Sequence, residues 1–90
     1  KDLVINYNAG YVAFCNPPYS KCKEFVKMIY ESEIACVMLL PVRTDTKWFH
    51  EYINYKKDVK VEFIKGRLKF SNSKNSAPFP SMLAYFRCNI

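Results

Sequence analysis

The chain has 90 residues, of which 50% are hydrophobic, and its formal net charge is +6. This apolar content can form one hydrophobic core, so we predict a single domain that needs no disulfides. No apolar run reaches the ~18 residues of a membrane-spanning helix, and the first residues lack a signal-peptide pattern, which indicates a soluble chain without membrane partners.

The first half of the chain alternates strand-like and helix-like segments. Residues 3–7 form a weakly apolar stretch, and residues 11–15 (YVAFC) are a stronger candidate strand. A helix follows, with Ser20 as its expected N-cap and apolar residues at i, i+3, i+4 and i+7. These residues are Cys22, Phe25, Val26 and Ile29. The pattern predicts a right-handed strand–helix–strand crossover whose helix covers the sheet.

A second strand and helix come next. Residues 35–40 (ACVMLL) are apolar without alternation, which predicts a central strand that is buried on both faces and ended by Pro41. Thr44 or Asp45 can cap a helix over residues 46–55. Its expected inward face is formed by Trp48, Phe49, Tyr52 and Ile53. Strand and helix thus alternate twice, as is typical of an α/β fold.

The last third of the chain contains two more candidate strands. Residues 59–65 (VKVEFIK) alternate apolar and charged, as in a strand with one solvated face, and residues 81–87 (SMLAYFR) are mainly apolar. We expect these strands to pair antiparallel. Residues 66–80 between them are too many for a tight hairpin turn, which favours a functional or mobile loop.

Asn16, Pro17, Pro18 and Tyr19 directly follow the strand at residues 11–15. α/β sheets bind their ligands at this end of a strand. Two prolines fix the backbone and remove two amide donors, which leaves the Asn16 amide oxygen and a carbonyl as acceptors for an amino group. Tyr19 can stack on a ring that carries this group. The tetrad thus favours binding of a base amine, and the structural alternative is a Pro-Pro turn with Tyr19 at the surface.

The surplus positive charge lies mainly in segments predicted to be loops or a solvated strand, where it would attract a phosphate backbone. We predict a nucleic-acid-facing set of seven residues, of which Arg43, in the turn after the central strand, lies at the tetrad's edge of the sheet. It consists of Arg43, Lys65, Arg67, Lys69, Lys74, Asn75 and Phe79. Two alternatives remain: the basic residues are ordinary solvated side chains, or Phe70 and Phe79 pack into the core and fix the loop.

The remaining chemically active residues indicate no metal site and no nucleophile. Cys15, Cys22, Cys36 and Cys88 lack the paired short spacing of zinc ligands, so we predict reduced core residues. His50 is the only histidine and has no partner at a catalytic spacing, which predicts a surface residue. Trp48 is expected to be a core residue.

Three blocks carry a family resemblance that extends over most of the chain. They are residues 13–20 (AFCNPPYS), 38–53 (MLLPVRTDTKWFHEYI), and 63–70 (FIKGRLKF) with 74–82 (KNSAPFPSM). In order and approximate spacing, the chain resembles the phage-type DNA adenine-N6 methyltransferase (Dam) family. This resemblance suggests a phage or prophage origin and activity in the cytoplasm of a bacterial host.

The resemblance implies a partial Rossmann-like class I methyltransferase sheet, in which parallel strands with crossover helices end in an antiparallel strand pair. It also implies methyl transfer from S-adenosylmethionine to adenine N6 of a base flipped out of double-stranded DNA. The tetrad, Asn16 to Tyr19, would be catalytic, with Asn16 also bordering the cofactor. Arg43 would lie near the flipped base or the DNA backbone.

The chain departs from the family pattern in one respect. Family members carry an upstream portion that supplies most of the S-adenosylmethionine pocket, and nothing in these 90 residues corresponds to it. The only glycines, Gly10 and Gly66, do not form a glycine-rich turn of the type that contacts a nucleotide cofactor. We therefore expect the target-base half of a methyltransferase domain, inactive without an upstream segment of the same protein.

Other functions remain open. The tetrad also occurs in enzymes that methylate glutamine amides in proteins or guanine amines in RNA, and the later blocks favour DNA adenine. A catalytically inactive nucleic-acid-binding remnant would keep the basic and aromatic surface without turnover. A purely structural fragment would expose an apolar sheet edge and self-associate.

Overall fold

A mixed sheet with two helices forms the framework of the protein. The computed structural model describes residues 2–7, 10–68 and 79–88. The strands in these residues are β1 Asp2–Tyr7, β2 Gly10–Cys15, β3 Cys36–Pro41, β4 Val59–Phe63 and β5 Ser81–Phe86, and the helices are α1 Cys22–Ser32 and α2 Lys47–Tyr52. The strand order across the sheet is β1-β2-β3-β5-β4.

The strand directions confirm an α/β fold with β3 at its centre. β2 and β3 pair in parallel and are connected through α1. β5 pairs antiparallel with both β3 and β4, as expected for the last two strands, so β4 runs in the same direction as β2 and β3. Parallel hydrogen bonding is nevertheless limited to β2 and β3, because β5 separates β3 from β4. β1 pairs antiparallel with β2.

Both helices lie on one face of the sheet, where they contact each other. On this face Met38 and Leu40 of β3, and Met82 and Phe86 of β5, are at most 1% exposed. Val37 and Leu39, which point to the other face of β3, are only half-buried. The prediction that β3 is buried on both faces is therefore wrong, because α1 and α2 cover the same face.

The helix faces agree with the sequence patterns. Cys22, Val26 and Ile29 of α1 are buried, and Trp48, Phe49 and Ile53 fill the core from α2 and the turn after it. Phe25 and Tyr52 are partly buried against this core. The helices therefore contribute to the core the residues that their apolar periodicity predicts.

The helix starts differ from the predictions. A 3-10 turn, Tyr19–Lys21, precedes α1, so Ser20 lies inside this turn and is not the N-cap. Thr46 caps α2, because its Oγ1 accepts a hydrogen bond from the Phe49 backbone N–H at 3.3 Å. Neither Thr44 nor Asp45 is therefore the cap. α2 is also shorter than predicted, since it ends at Tyr52.

The burial of the cysteines agrees in part with the sequence. Cys15, Cys22 and Cys36 are buried, as predicted for core residues, whereas Cys88 is half-buried. All four are free thiols. Among the described residues, no helix is long and apolar enough to cross a membrane.

Arg87 joins three distant parts of the fold directly after β5. Its Nη2 donates a hydrogen bond to the Ile29 carbonyl at 2.6 Å, and its Nε donates to the Ile34 carbonyl at 2.9 Å. Its backbone N–H donates to the Asp58 carbonyl at 2.7 Å. A cation here also complements the negative end of the α1 dipole. Arg87 therefore fixes the end of α1 to the sheet.

We expect Arg87→Ala to lower the free energy of unfolding by about 2 kcal/mol, because carbonyl groups at the end of α1 lose charge-assisted hydrogen bonds. Urea unfolding followed by fluorescence of Trp48, the only tryptophan, measures this change. Lys57→Ala, at an exposed position in the same region, is the control and should change stability by less than about 0.5 kcal/mol. Equal effects of the two substitutions would contradict the anchoring role of Arg87.

Candidate functional site

The described residues that were predicted to be functional lie at one edge of the sheet. β2, β3 and β4 run in the same direction and β5 runs opposite, so the carboxyl ends of three strands and the start of β5 share this edge. We call it the carboxyl edge. The tetrad follows β2, Arg43 follows β3, Lys65 and Arg67 follow β4, and Phe79 precedes β5.

The tetrad joins the end of β2 to the 3-10 turn and exposes its residues unequally. Asn16 is half-buried, Pro17 is buried, Pro18 is exposed, and Tyr19 is 39% exposed. The Pro18 carbonyl accepts hydrogen bonds from the Lys21 backbone N–H at 2.9 Å and from the Cys22 thiol at 3.7 Å. These bonds direct the Pro18 carbonyl towards the start of α1.

The Pro17 carbonyl differs from that of Pro18. Within residues 2–7, 10–68 and 79–88, no donor forms a hydrogen bond with it. The backbone thus leaves one carbonyl acceptor beside the Asn16 amide.

Cys22 stabilises the turn through its thiol. Burial raises the pKa of the Cys22 thiol, and the nearby Glu24 carboxylate raises it further. A raised pKa favours the protonated thiol, which can donate the hydrogen bond to the Pro18 carbonyl. It also disfavours the thiolate, which is the reactive form of cysteine.

Phe79 connects the tetrad to the segment after β3. Its ring lies edge-to-face with Tyr19, with ring centroids 5.7 Å apart and an interplanar angle of 68°. The Arg43 guanidinium carbon lies 4.9 Å from the Phe79 ring centroid, within cation–π range. Phe79 is half-buried, so neither a fully solvated position nor a core position describes it. The structure thus brings Tyr19, Arg43 and Phe79 into one cluster.

Asp45 balances the charge of Arg43. Arg43 donates from Nε and Nη2 to the two Asp45 carboxylate oxygens, at 3.3 and 3.4 Å. The hydrogen bond from Arg43 lowers the pKa of Asp45 most, and a backbone hydrogen bond and the positive charge lower it further. The side chains are 39% and 73% exposed, so solvent screens the pair and either partner can exchange.

His50 and Trp48 have structural positions. The His50 ring is exposed, and its Nε2 lies 2.7 Å from the Thr44 carbonyl oxygen, which fixes the turn before α2. Trp48 is 8% exposed and belongs to the core. The surface position of His50 and the core position of Trp48 are therefore confirmed.

The other predicted nucleic-acid contacts divide into two groups. Lys65 and Arg67 are exposed and follow β4 at the carboxyl edge, on either side of Gly66, whose φ of 76° forms a turn. Lys69, Lys74 and Asn75 lie outside the described residues, as does Phe70. From β2 to β4 the edge spans three strand spacings, about 14 Å, which equals the axial length of about four base pairs.

Three side-chain contacts at this edge were not predicted from the sequence. Asp45 forms an ion pair with Arg43. Thr46 accepts the capping hydrogen bond, and its Oγ1 donates to the Arg43 carbonyl at 2.7 Å. The Cys22 thiol donates to the Pro18 carbonyl. The Arg43-x-Asp45 spacing in a turn was a usable signal for the ion pair. The hydrogen bond of the Cys22 thiol had no such signal in the sequence, because any apolar residue would fit this position in the apolar stripe of α1.

The opposite edge of the sheet is less suited to a phosphate backbone. A cleft of ≈ 450 Å³ there is lined by Tyr30, Glu33, Lys56, Lys57, Asp58 and Arg87. Its lining contains both acidic and basic side chains, and it adjoins the C-terminal end of α1, where the helix dipole is negative. In the described part of the chain, no group of three His, Cys, Asp or Glu side chains could hold a metal ion. The carboxyl edge therefore remains the candidate site.

A protein-family model matches nearly the whole chain. Residues 2–87 match the family model described as DNA N-6-adenine-methyltransferase (Dam). Neither a curated protein nor a solved structure matches the chain. The match includes the tetrad, both helices and all five described strands. Because it covers nearly the whole chain, the protein belongs to the DNA N-6-adenine-methyltransferase (Dam) family.

Proposed function

We propose that this chain is the target-base half of an S-adenosylmethionine-dependent DNA adenine-N6 methyltransferase domain. The observation that carries the proposal is the tetrad at the carboxyl edge, where the Pro17 carbonyl is unoccupied by described donors while Pro18 is bonded internally. Family membership supplies the reaction class. The site geometry supports roles for individual residues.

In this proposal the target adenine leaves the duplex, because its amine is shielded by base pairing. Tyr19, which is 39% exposed, stacks on the base. The Asn16 side-chain oxygen and the Pro17 carbonyl accept the two N6 hydrogens. These hydrogen bonds draw the nitrogen lone pair out of conjugation with the ring and orient it for methyl transfer.

S-adenosylmethionine supplies a methyl group on a sulfonium sulfur when it is bound. Of the residues in this chain, we assign only Asn16 to its border. The described strand ends provide acceptors for an amine but no glycine-rich turn, so they fit the base better than the cofactor. We therefore assign most of the cofactor pocket to another part of the same protein.

The sheet topology supports a partial Rossmann-like arrangement. β2, α1 and β3 form a parallel crossover, and β4 continues in the same direction beyond the antiparallel β5. Such a sheet places successive loops along one edge, which lets one ligand contact several strand ends. The topology thus agrees with a binding site that extends from the tetrad to Arg67.

DNA would lie along the carboxyl edge. Arg43, Lys65 and Arg67 supply positive charge there, and Asp45 forms an ion pair with Arg43. The ion pair of Arg43 is exposed, so a phosphate can replace the carboxylate. We assign Lys69, Lys74 and Asn75 to the same interface from their sequence positions.

A nucleic-acid-binding protein without catalytic activity is the second candidate. The cluster of Tyr19, Phe79 and Arg43 favours it, since aromatic and cationic groups bind nucleic acid without a cofactor. Methyl transfer distinguishes the two candidates, because both bind DNA and only the enzyme produces labelled N6-methyladenine.

We expect Asn16→Ala to lower methyl transfer at least ~100-fold, because the amine loses a positioned acceptor, and to leave DNA affinity nearly unchanged. Asn16→Asp, which keeps an acceptor oxygen, should retain part of the activity. The measurement uses labelled S-adenosylmethionine and adenine-unmethylated DNA, with this chain and with any longer protein that contains it.

Four outcomes of this experiment bear on the candidates and on the assigned roles. Label at adenine N6 that is lost in Asn16→Ala supports the enzyme, and label from the 90-residue chain alone would refute our assignment of the cofactor pocket elsewhere. DNA binding without label in the longer protein would support the non-catalytic candidate. Near-normal turnover of Asn16→Ala would remove Asn16 from the catalytic role.

We expect Asp45→Asn to tighten DNA binding, because the carboxylate that competes with phosphate for Arg43 is removed. The substituted side chain has a similar size and stays polar. The slope of log affinity against log salt concentration should steepen by up to about one counterion. Fluorescence anisotropy with a labelled duplex measures both quantities. Asp58→Asn, an exposed acidic position at the opposite edge, is the control. The same gain in both variants would indicate a general effect of net charge.

A further inference from the structure

We propose that Phe79 is a positioning residue that orients Tyr19 and Arg43 together, and thereby couples base binding to backbone binding. This inference rests on the proposed function, because it assigns those two roles to Tyr19 and Arg43. It differs from the direct DNA contact that the sequence predicts for Phe79. Neighbouring strands hold the backbone next to Phe79, and two side chains contact its ring.

Hydrogen bonds from the two neighbouring strands fix Pro80 and Ser81, the residues that follow Phe79. The Val42 backbone N–H donates to the Pro80 carbonyl at 2.8 Å, which ties this segment to the end of β3. The Ile64 backbone N–H donates to the Ser81 carbonyl at 3.0 Å, which ties it to the end of β4. Pro80 also has a fixed φ. Phe79 therefore projects from a defined position at the carboxyl edge.

The Phe79 ring has two neighbours that the proposed function uses. The Arg43 guanidinium lies over the ring at 4.9 Å, and Asp45 holds the same guanidinium through two hydrogen bonds. The ring restricts the orientation of Arg43, and it can stay in place when a phosphate replaces the Asp45 carboxylate. A flexible arginine would lose more side-chain entropy on binding a phosphate than one oriented beforehand.

The contact with Tyr19 restricts the second group. An interplanar angle of 68° packs one ring edge-on against the other, so a rotation of Tyr19 would break the contact. Tyr19 lies in the 3-10 turn, where the Pro18 carbonyl fixes the backbone, and Phe79 adds a restraint on the side chain. The phenol ring remains 39% exposed, which leaves surface for a base.

Direct stacking of a base on Phe79 fits the structure less well. Arg43 occupies a position over its ring, Tyr19 packs against it, and the residue is half-buried. A base that stacked on the face covered by Arg43 would have to displace the guanidinium. Its contacts are therefore better suited to holding Tyr19 and Arg43 in place.

The test is a double-mutant cycle on DNA binding that uses Phe79→Leu, Arg43→Ala and the double variant. We expect Phe79→Leu alone to weaken binding about threefold, the size of one exposed cation–π contact, and to have little further effect once Arg43 is alanine. Phe79→Tyr, which keeps the ring, should bind DNA as the wild type does. Tyr55→Leu, at a 97% exposed ring, is the matched aromatic control and should bind unchanged.

A second measurement needs no DNA. NMR should show Arg43 side-chain protons shifted upfield by the Phe79 ring current, and this shift should disappear in Phe79→Leu and persist in Phe79→Tyr. Thermal unfolding of each variant confirms that the fold is kept. If Phe79→Leu proves unfolded, the cycle is performed with Phe79→Met.

Each outcome supports or overturns the inference. A lost ring-current shift with non-additive binding effects supports it. Additive losses from Phe79→Leu and Arg43→Ala, with the wild type binding DNA, would overturn the positioning role and leave the proposed function intact. Failure of the wild-type chain to bind duplex DNA would instead overturn the DNA-binding function, and the coupling role with it.

Discussion

The insertion of β5 between β3 and β4 is the constraint on which the site depends. β5 forms antiparallel ladders with both neighbours, so it holds β4 in the same direction as β3 without hydrogen bonds between those two strands. As a result, residues from four separate stretches of the chain reach one edge of the sheet. Without β5, Phe79 would have no fixed position and Arg43 would lose the aromatic surface against which it lies.

The same strand is also central to the core, which connects stability to function. Met82, Ala84 and Phe86 are fully buried beneath the two helices, opposite Leu40, Met38 and Cys36 of β3. Truncation of a side chain such as Met82 or Phe86 in a core of this kind costs about 2–5 kcal/mol. The register between β3 and β5 is therefore strongly specified, since a shift of one residue would turn these side chains to the other face. This register also sets where Phe79 lies relative to Arg43.

Local patterns in the sequence predicted most elements, and the misses arose where several residues fitted a local role equally well or where the contact is long-range. The stripe of Cys22, Val26 and Ile29 predicted the inward face of α1, and the position of the tetrad after residues 11–15 predicted its place at the carboxyl edge. The cap of α2 was misplaced, because Thr44, Asp45 and Thr46 are all suitable capping residues and only the turn geometry selects Thr46. The contact between Tyr19 and Phe79 has no local signal, since it exists only after β5 has paired with β3.

The two prolines of the tetrad give their carbonyl groups different tasks. The Pro18 carbonyl starts the helical segment by accepting from Lys21 and Cys22, and it is therefore committed to the fold. The Pro17 carbonyl lies one residue closer to the strand, ahead of the 3-10 turn, where no described donor reaches it. A non-proline residue at position 18 would add an N–H group to the same peptide unit and give the backbone more freedom. The sequence Pro-Pro thus places a carbonyl that is committed to the fold next to one that no described donor reaches, and the latter is the acceptor that the proposed function assigns to the target amine.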